Sequence, residues 1–150
     1  MRNMFDIATA QEVGGRLASL TPESTRQWGT MSAAQTVAHC SLAIEMALGE
    51  KKPPRVLIGR ILGPVVKKLA LGNDAPMRKN SPTAPSLIVS DDRDLEAEKL
   101  RLAGLIDRFS KGGAAVCTDH PHAFFGTLTP EQWAELMYKH LDHHLRQFGA

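Results

Sequence analysis

Three of the six histidines in this 150-residue chain fall within five positions of one stretch, KHLDHHLRQF at residues 139–148. Imidazole is the side chain best suited to binding a divalent cation or moving a proton near neutral pH. On a helix, residues four apart lie one turn above each other on the same face. His140 and His144 have that spacing and can share one ion. With His140 at zero on a wheel of ~100° per residue, His144 falls at about +40°, and Trp133, Ala134, Met137, Leu141, Leu145 and Phe148 lie between about +20° and +140°. Both histidines therefore point with the apolar stripe. His143 lands at about −60°, at the rim of the stripe, and Glu135, Lys139, Asp142 and Arg146 spread over the polar face.

A third imidazole comes from WGTMSAAQTVAHC, residues 28–40. With His39 at zero on the same wheel, Met46 lies at about −20°, Ala43 at about +40°, Leu42 at about −60° and Ala47 at about +80°. His39 also faces inward, with Gln35 one turn earlier. Three imidazoles directed into one small core need partners for their polar nitrogens, and a divalent ion supplies one. Three nitrogen ligands leave a position free for water or substrate, as catalytic sites do. Imidazole suits zinc, nickel, iron and copper, and zinc or nickel is preferred. The bland reading is three separate core histidines whose nitrogens are satisfied by ordinary hydrogen bonds.

Helical periods dominate the elements that position these residues. Residues 8–20 place Val13, Leu17 and Leu20 at helical spacing, though Gly14 and Gly15 weaken the segment. Ser32 and Gln35 have capping-box spacing before a helix over about 32–48 that stops at Gly49. Asp91 and Asp92 open a helix whose apolar positions Leu95, Leu102, Leu105, Ile106 and Phe109 keep helical spacing up to Gly112–Gly113. Thr129-Pro-Glu-Gln then starts a helix over about 130–147. The stretch 50–90 reads as a basic insert interrupted by Gly59 and Gly63–Pro64, giving a broken helix or two and then an irregular crossover. The expected fold is all-α: one domain over 1–150, a four-helix bundle with a long crossover between its second and third helices.

Composition excludes several classes. A formal charge of +2, with one Tyr, two Trp and five Phe in no basic-aromatic pattern, gives no basis for nucleic-acid binding. No stretch approaches the ~18 apolar residues of a membrane span, and the start MRNMFDIATAQEV has no secretory apolar run. Two unpatterned cysteines, Cys40 and Cys117, fit a reducing, cytoplasmic setting. Cys40, rotated ~100° from His39, reads as a small core residue. Cys117, His120 and His122 sit in the loop before the last helix, where they line a mouth or cap the core. Lys51, Lys52, Arg55, Arg60, Lys67 and Lys68 flank the aliphatic residues of 56–66 and leave two readings, a membrane-surface or partner-binding element and an ordinary lid. The lid is preferred, and no membrane partner is expected.

WGTMSAAQTVAHC, followed about 100 residues later by HPHAFFGTLTPEQWAELMYKHLDHHLRQF, resembles an uncharacterised bacterial family of the DinB-like (YfiT-like) superfamily of metal-binding four-helix bundles. The similarity extends through the RKNSPTAP crossover. In that superfamily one histidine of the second helix and an H-x-x-x-H pair of the fourth bind a divalent metal, which maps onto His39, His140 and His144. The resemblance implies a metal-dependent transferase acting on a low-molecular-weight thiol such as bacillithiol, mycothiol or glutathione, or on a small electrophile. A homodimer would suit the superfamily.

Other members resemble maleylpyruvate isomerases, so a hydrolase, an isomerase and a non-enzymatic metal-stabilised module stand as alternatives. Hydrolysis calls for a carboxylate base beside metal-bound water, and Glu45 and Glu135 point away from the histidine faces. His143 is a candidate proton carrier or a solvent-facing rim residue. Gln35 either orients a ligand or serves only as a helix cap.

Overall fold

Capping chemistry sets the helix ends. α1, Ile7–Ala18, starts where the Asp6 side chain accepts the Ala8 N–H. α2, Ala33–Ala47, carries the expected capping box between Ser32 and Gln35, and the chain leaves it through Gly49 at φ 76°. α4, Leu95–Gly112, is capped by Asp94, with Glu96 and Glu98 in its first turn. It therefore begins three residues beyond Asp92. Asp91 pairs instead with Arg93 at 2.9 Å. α5, Pro130–Gln147, opens on a second capping box between Thr129 and Gln132, with Pro130 at the first helical position.

The computed structural model describes all 150 residues and holds five α-helices, two short 3-10 turns at Pro85–Leu87 and Gly113–Val116, and no strand. The all-α expectation holds. The additional helix, α3 at Leu57–Ala70, lies where a broken one was expected and runs unbroken through Gly63–Pro64. Proline removes one N–H and crowds the carbonyl four residues back, so it normally kinks a buried helix. Pro64 is on the exposed side, where water can take the Arg60 carbonyl.

α1, α2, α4 and α5 share one core. α2 packs on α4 and α5, and α1 packs on the same two helices. Val13 and Leu17 from α1, Ile44 from α2, Leu102 and Phe109 from α4, and Trp133, Met137 and Leu141 from α5 are almost wholly buried there. α3 touches this core only through Ala70 at its C-terminal end. It rests instead on the loop before α5: Val56 N–H donates to the Ala123 carbonyl at 2.9 Å and Lys67 Nζ to the Thr127 carbonyl at 3.0 Å.

Glycine makes that contact close. A Cβ at Gly59 would sit 2.7 Å from the Cα and carbonyl oxygen of Phe124, and one at Gly63 closer still. Alanine is the better helix former by ~1 kcal/mol, but overpacking against backbone costs ~1–3 kcal/mol. Gly63→Ala should therefore lower the thermal midpoint and raise protease cleavage within α3. An unchanged midpoint and cleavage pattern would show that the contact is slack.

The wheel placed Glu135, Lys139 and Asp142 on the polar face of α5, away from the apolar stripe, and the structure buries all three. The end of α3, the residues after it and Arg16 of α1 cover that face. Lys139 Nζ donates to the Ala70 carbonyl at 2.7 Å and to Asn73 Oδ1 at 3.2 Å, and the Gly72 N–H donates to Glu135 at 2.8 Å. Asp142 takes Arg16 of α1 at 2.8 Å and Arg146 at 3.0 Å. Each buried charge has a partner, which burial requires.

Candidate metal centre

The three inward histidines meet. His39 of α2 and His140 and His144 of α5 each offer a nitrogen, and these atoms all lie within 4.8 Å of one another. The His39 and His140 Nε2 atoms are 2.9 Å apart, although the two residues are 101 positions apart in the chain. Ring centroids are 4.8 Å apart for His39–His140, 4.8 Å for His39–His144 and 4.7 Å for His140–His144. His39 is buried, while His140 and His144 keep partial access to solvent.

Hydrogen bonds at the far nitrogens orient two of the rings. His39 Nδ1 lies 2.7 Å from the Leu87 carbonyl. A carbonyl only accepts, so Nδ1 carries the proton and Nε2 presents a lone pair toward the cluster. Gln147 Nε2 donates to the Trp28 carbonyl at 2.6 Å, which turns its Oε1 to His144 Nδ1 at 2.8 Å. The same tautomer follows at His144. Oxygen partners of this kind are what fix metal-ligating histidines.

Without an ion, two lone pairs cannot face each other at 2.9 Å, so His140 Nε2–H donates to His39 and its Nδ1 is left as a bare lone pair. That atom is buried and has no hydrogen-bond partner. A buried polar atom without a partner is uncommon. For metal–nitrogen bonds of ~2.1 Å, the nitrogens of a tetrahedral site lie about 3.4 Å apart. The observed separations bracket that edge, so the residues present fit a divalent ion.

Electrostatics keep the cluster neutral. Burial pushes all three histidines below the ordinary imidazole value, His140 far below and His144 to about 3, and repulsion between the rings as cations adds to the effect at His140 and His144. Neutral imidazoles are the form that ligates metals.

The neighbouring candidates separate. His143 lies half-buried beside the cluster, its ring 5.0 Å from His144 and 5.5 Å from Trp28, over which Lys79 Nζ sits at 4.1 Å. Burial also lowers its pKa, partly offset by the Met77 backbone, so the ring is neutral at pH ~7. Gln35 places its Oε1 on the Ser32 N–H at 2.9 Å and its Nε2 on the Asp91 carbonyl at 3.1 Å, and makes no hydrogen bond to the histidines. Glu45 is engaged by Arg101. Cys40 lies in the core, where burial pushes its thiol well up. Cys117 is pushed up to about 11 by burial and by Glu131. His120 and His122 belong to the loop, where His122 Nδ1 accepts the N–H groups of Phe124 and Phe125 at 3.0 and 3.1 Å. The broad surface cleft containing Arg2, Asp74, Tyr138 and Arg146 opens on the opposite side of α5 and includes none of the three histidines.

Sequence reasoning missed Leu87, Gln147, Trp28 and Lys79. Gln147 was within reach, since it lies three residues beyond His144 on the same helix. A backbone carbonyl such as that of Leu87 has no side-chain signature. Because Gln147 orients His144, Gln147→Ala should weaken metal affinity about 10–100-fold. Titration with a competing chelator measures this, and an unchanged affinity would remove Gln147 from the site.

Fold and site together define an all-helical protein with a three-histidine cluster able to hold a metal ion. The chain belongs to the family described as "Protein of unknown function (DUF1569)", whose match covers residues 2–150. No curated protein and no solved structure matches it.

Proposed function

We propose that the chain is a divalent-metal protein of the DinB-like (YfiT-like) kind. In this reading α1, α2, α4 and α5 form its four-helix bundle, and the long connection carrying α3 is its crossover. His39, His140 and His144 hold zinc or nickel, and the chain is a cytoplasmic transferase acting on a low-molecular-weight thiol or a small electrophile. The observation that carries the reading is the convergence of three neutral imidazoles from two helices, two of them oriented at Nδ1 by Leu87 and Gln147.

When bound, the ion supplies a Lewis acid that lowers a thiol's pKa and holds it as thiolate. His143, its ring 5.0 Å from His144, is placed to take up the proton that such a thiol releases. Trp28 offers an apolar ring beside it, and Lys79 a positive charge to steer an anionic substrate. The partners of the carboxylates favour transfer over hydrolysis. Glu45 is turned to Arg101, Glu135 to the Gly72 N–H and Asp142 to Arg16, and a hydrolase would want one of them beside metal-bound water.

Metal removal tests this. The dialysed chain should keep its helix content, lose thiol conjugation to a small electrophile, and regain it with added zinc or nickel. Collapse of the helices on dialysis would make the ion structural, and a metal-loaded chain that consumes none of the three thiols would overturn the transferase reading.

A further inference from the structure

α3 is built inside out. A helix on a protein surface normally turns its large aliphatic side chains inward. Here the face toward the rest of the chain is Gly59 and Gly63, seated on the Phe124 backbone, and the large residues point away. Leu57, Ile61 and Leu69 are 76 %, 70 % and 72 % exposed, and Ile58, Leu62 and Val65 are exposed as well. On a wheel of ~100° per residue these six occupy a single arc of about 140°. A lid over the core would bury them. A contiguous exposed apolar face of this kind marks an interaction surface.

Charge selects the occupant. Between Lys51 and Asn73 there are six cations, Lys51, Lys52, Arg55, Arg60, Lys67 and Lys68, and no Asp or Glu. None is paired with a carboxylate. Lys51, Lys52, Arg60 and Lys68 are exposed, and Lys68 projects within the apolar arc itself. Docking α3 on a second α3 would bring two cationic sets together with no anion between them. The partner must offer an apolar layer beneath negative charge, and an anionic bilayer surface has that order. No helix is long and apolar enough to cross a membrane. An aliphatic face bordered by Lys and Arg on a helix of 14 residues instead suits lying in the plane of the headgroups. The α3 backbone approaches no other helix closely, and its aliphatic side is left open to solvent.

We propose that α3, with Lys51 and Lys52 before it, is a membrane-surface element that seats the chain on a bilayer of acidic lipids. The surface is independent of the histidine cluster and holds whether or not that cluster takes a metal.

Sedimentation of the full chain with vesicles tests it. The chain should pellet with vesicles of phosphatidylcholine and phosphatidylglycerol in equal parts, not with phosphatidylcholine alone, and high salt should release it. Ile61→Asp and Leu69→Asp change largely solvated positions, so helix content and thermal midpoint should hold while vesicle binding is lost. Lys51→Gln with Lys52→Gln should weaken binding about tenfold or more. Equal pelleting with both vesicle types, or none with either, overturns the proposal. So does a concentration-dependent dimer that Ile61→Asp dissociates, since a second copy would then own the face. Capture of an acidic protein by a chain that ignores vesicles overturns it equally.

Discussion

Replacing His144 or His140 by alanine should take the purified, untagged chain from about one bound zinc or nickel to none that survives dialysis, with the helices retained. Three nitrogen ligands are the minimum that a catalytic zinc site typically uses, and two leave the ion exchanging with solvent. The helices should survive because the core is built from Trp133, Met137, Leu141 and their partners on α1, α2 and α4. Stability gives a second readout. An ion bound only by the folded chain stabilises it by ~2.7 kcal/mol at a hundredfold excess over Kd. For a chain of this length that raises the thermal midpoint by about 5–10 °C. Excess metal should produce this rise in the unmodified chain and in His143→Ala, and none in His140→Ala or His144→Ala. Unchanged metal content in either ligand variant would sink the site.

The metal-free chain should lose stability steeply as pH falls below about 6.5, and His122 should be a separable part of that loss. Burial, then the nearby Arg55 cation, holds His122 down at about 4 against an ordinary 6.5. Its Nδ1 accepts the Phe124 and Phe125 N–H groups, and a protonated imidazole has no acceptor left. The folded value lies below the unfolded one, so the unfolded chain binds the proton first as pH drops. The contribution is therefore complete above about 6.5 and is lost as pH falls through about 4, a difference of about 3 kcal/mol. His122→Asn keeps a turn-forming acceptor and does not titrate, so its denaturation midpoints should vary less with pH over that window. Parallel pH profiles for the two chains would show that His122 is not the sensor. Acid also protonates the histidine cluster, so added metal should oppose the remaining loss.

Much of this was legible because it is local. Ser32 with Gln35 and Thr129 with Gln132 satisfy N–H groups within one turn, and both capping boxes form where the spacing put them. The 3.6-residue period directed His39, His140 and His144 to the apolar sides of their helices without knowledge of any partner. The same period misjudged Glu135, Lys139 and Asp142. A wheel reports position around one axis, while burial depends on what covers it, here Asn73, Gly72 and Arg16 from distant parts of the chain. α3 failed in the opposite sense. Gly59 and Gly63–Pro64 read as breaks, yet the glycines are what let the helix approach Phe124, and Pro64 lies toward solvent.

By itself, then, the sequence determined an all-helical chain, the ends of α2 and α5 and the inward set of three histidines, because caps and periodicity act over a few residues. Only the tertiary structure decided that the three rings converge. It also decided that Leu87 and Gln147 aim two of them, that the polar face of α5 is covered, and that α3 presents its aliphatic side outward. Those outcomes depend on carbonyls, loops and helices tens of residues apart, and even Gln147, one turn from His144, is turned toward it by the distant Trp28 carbonyl.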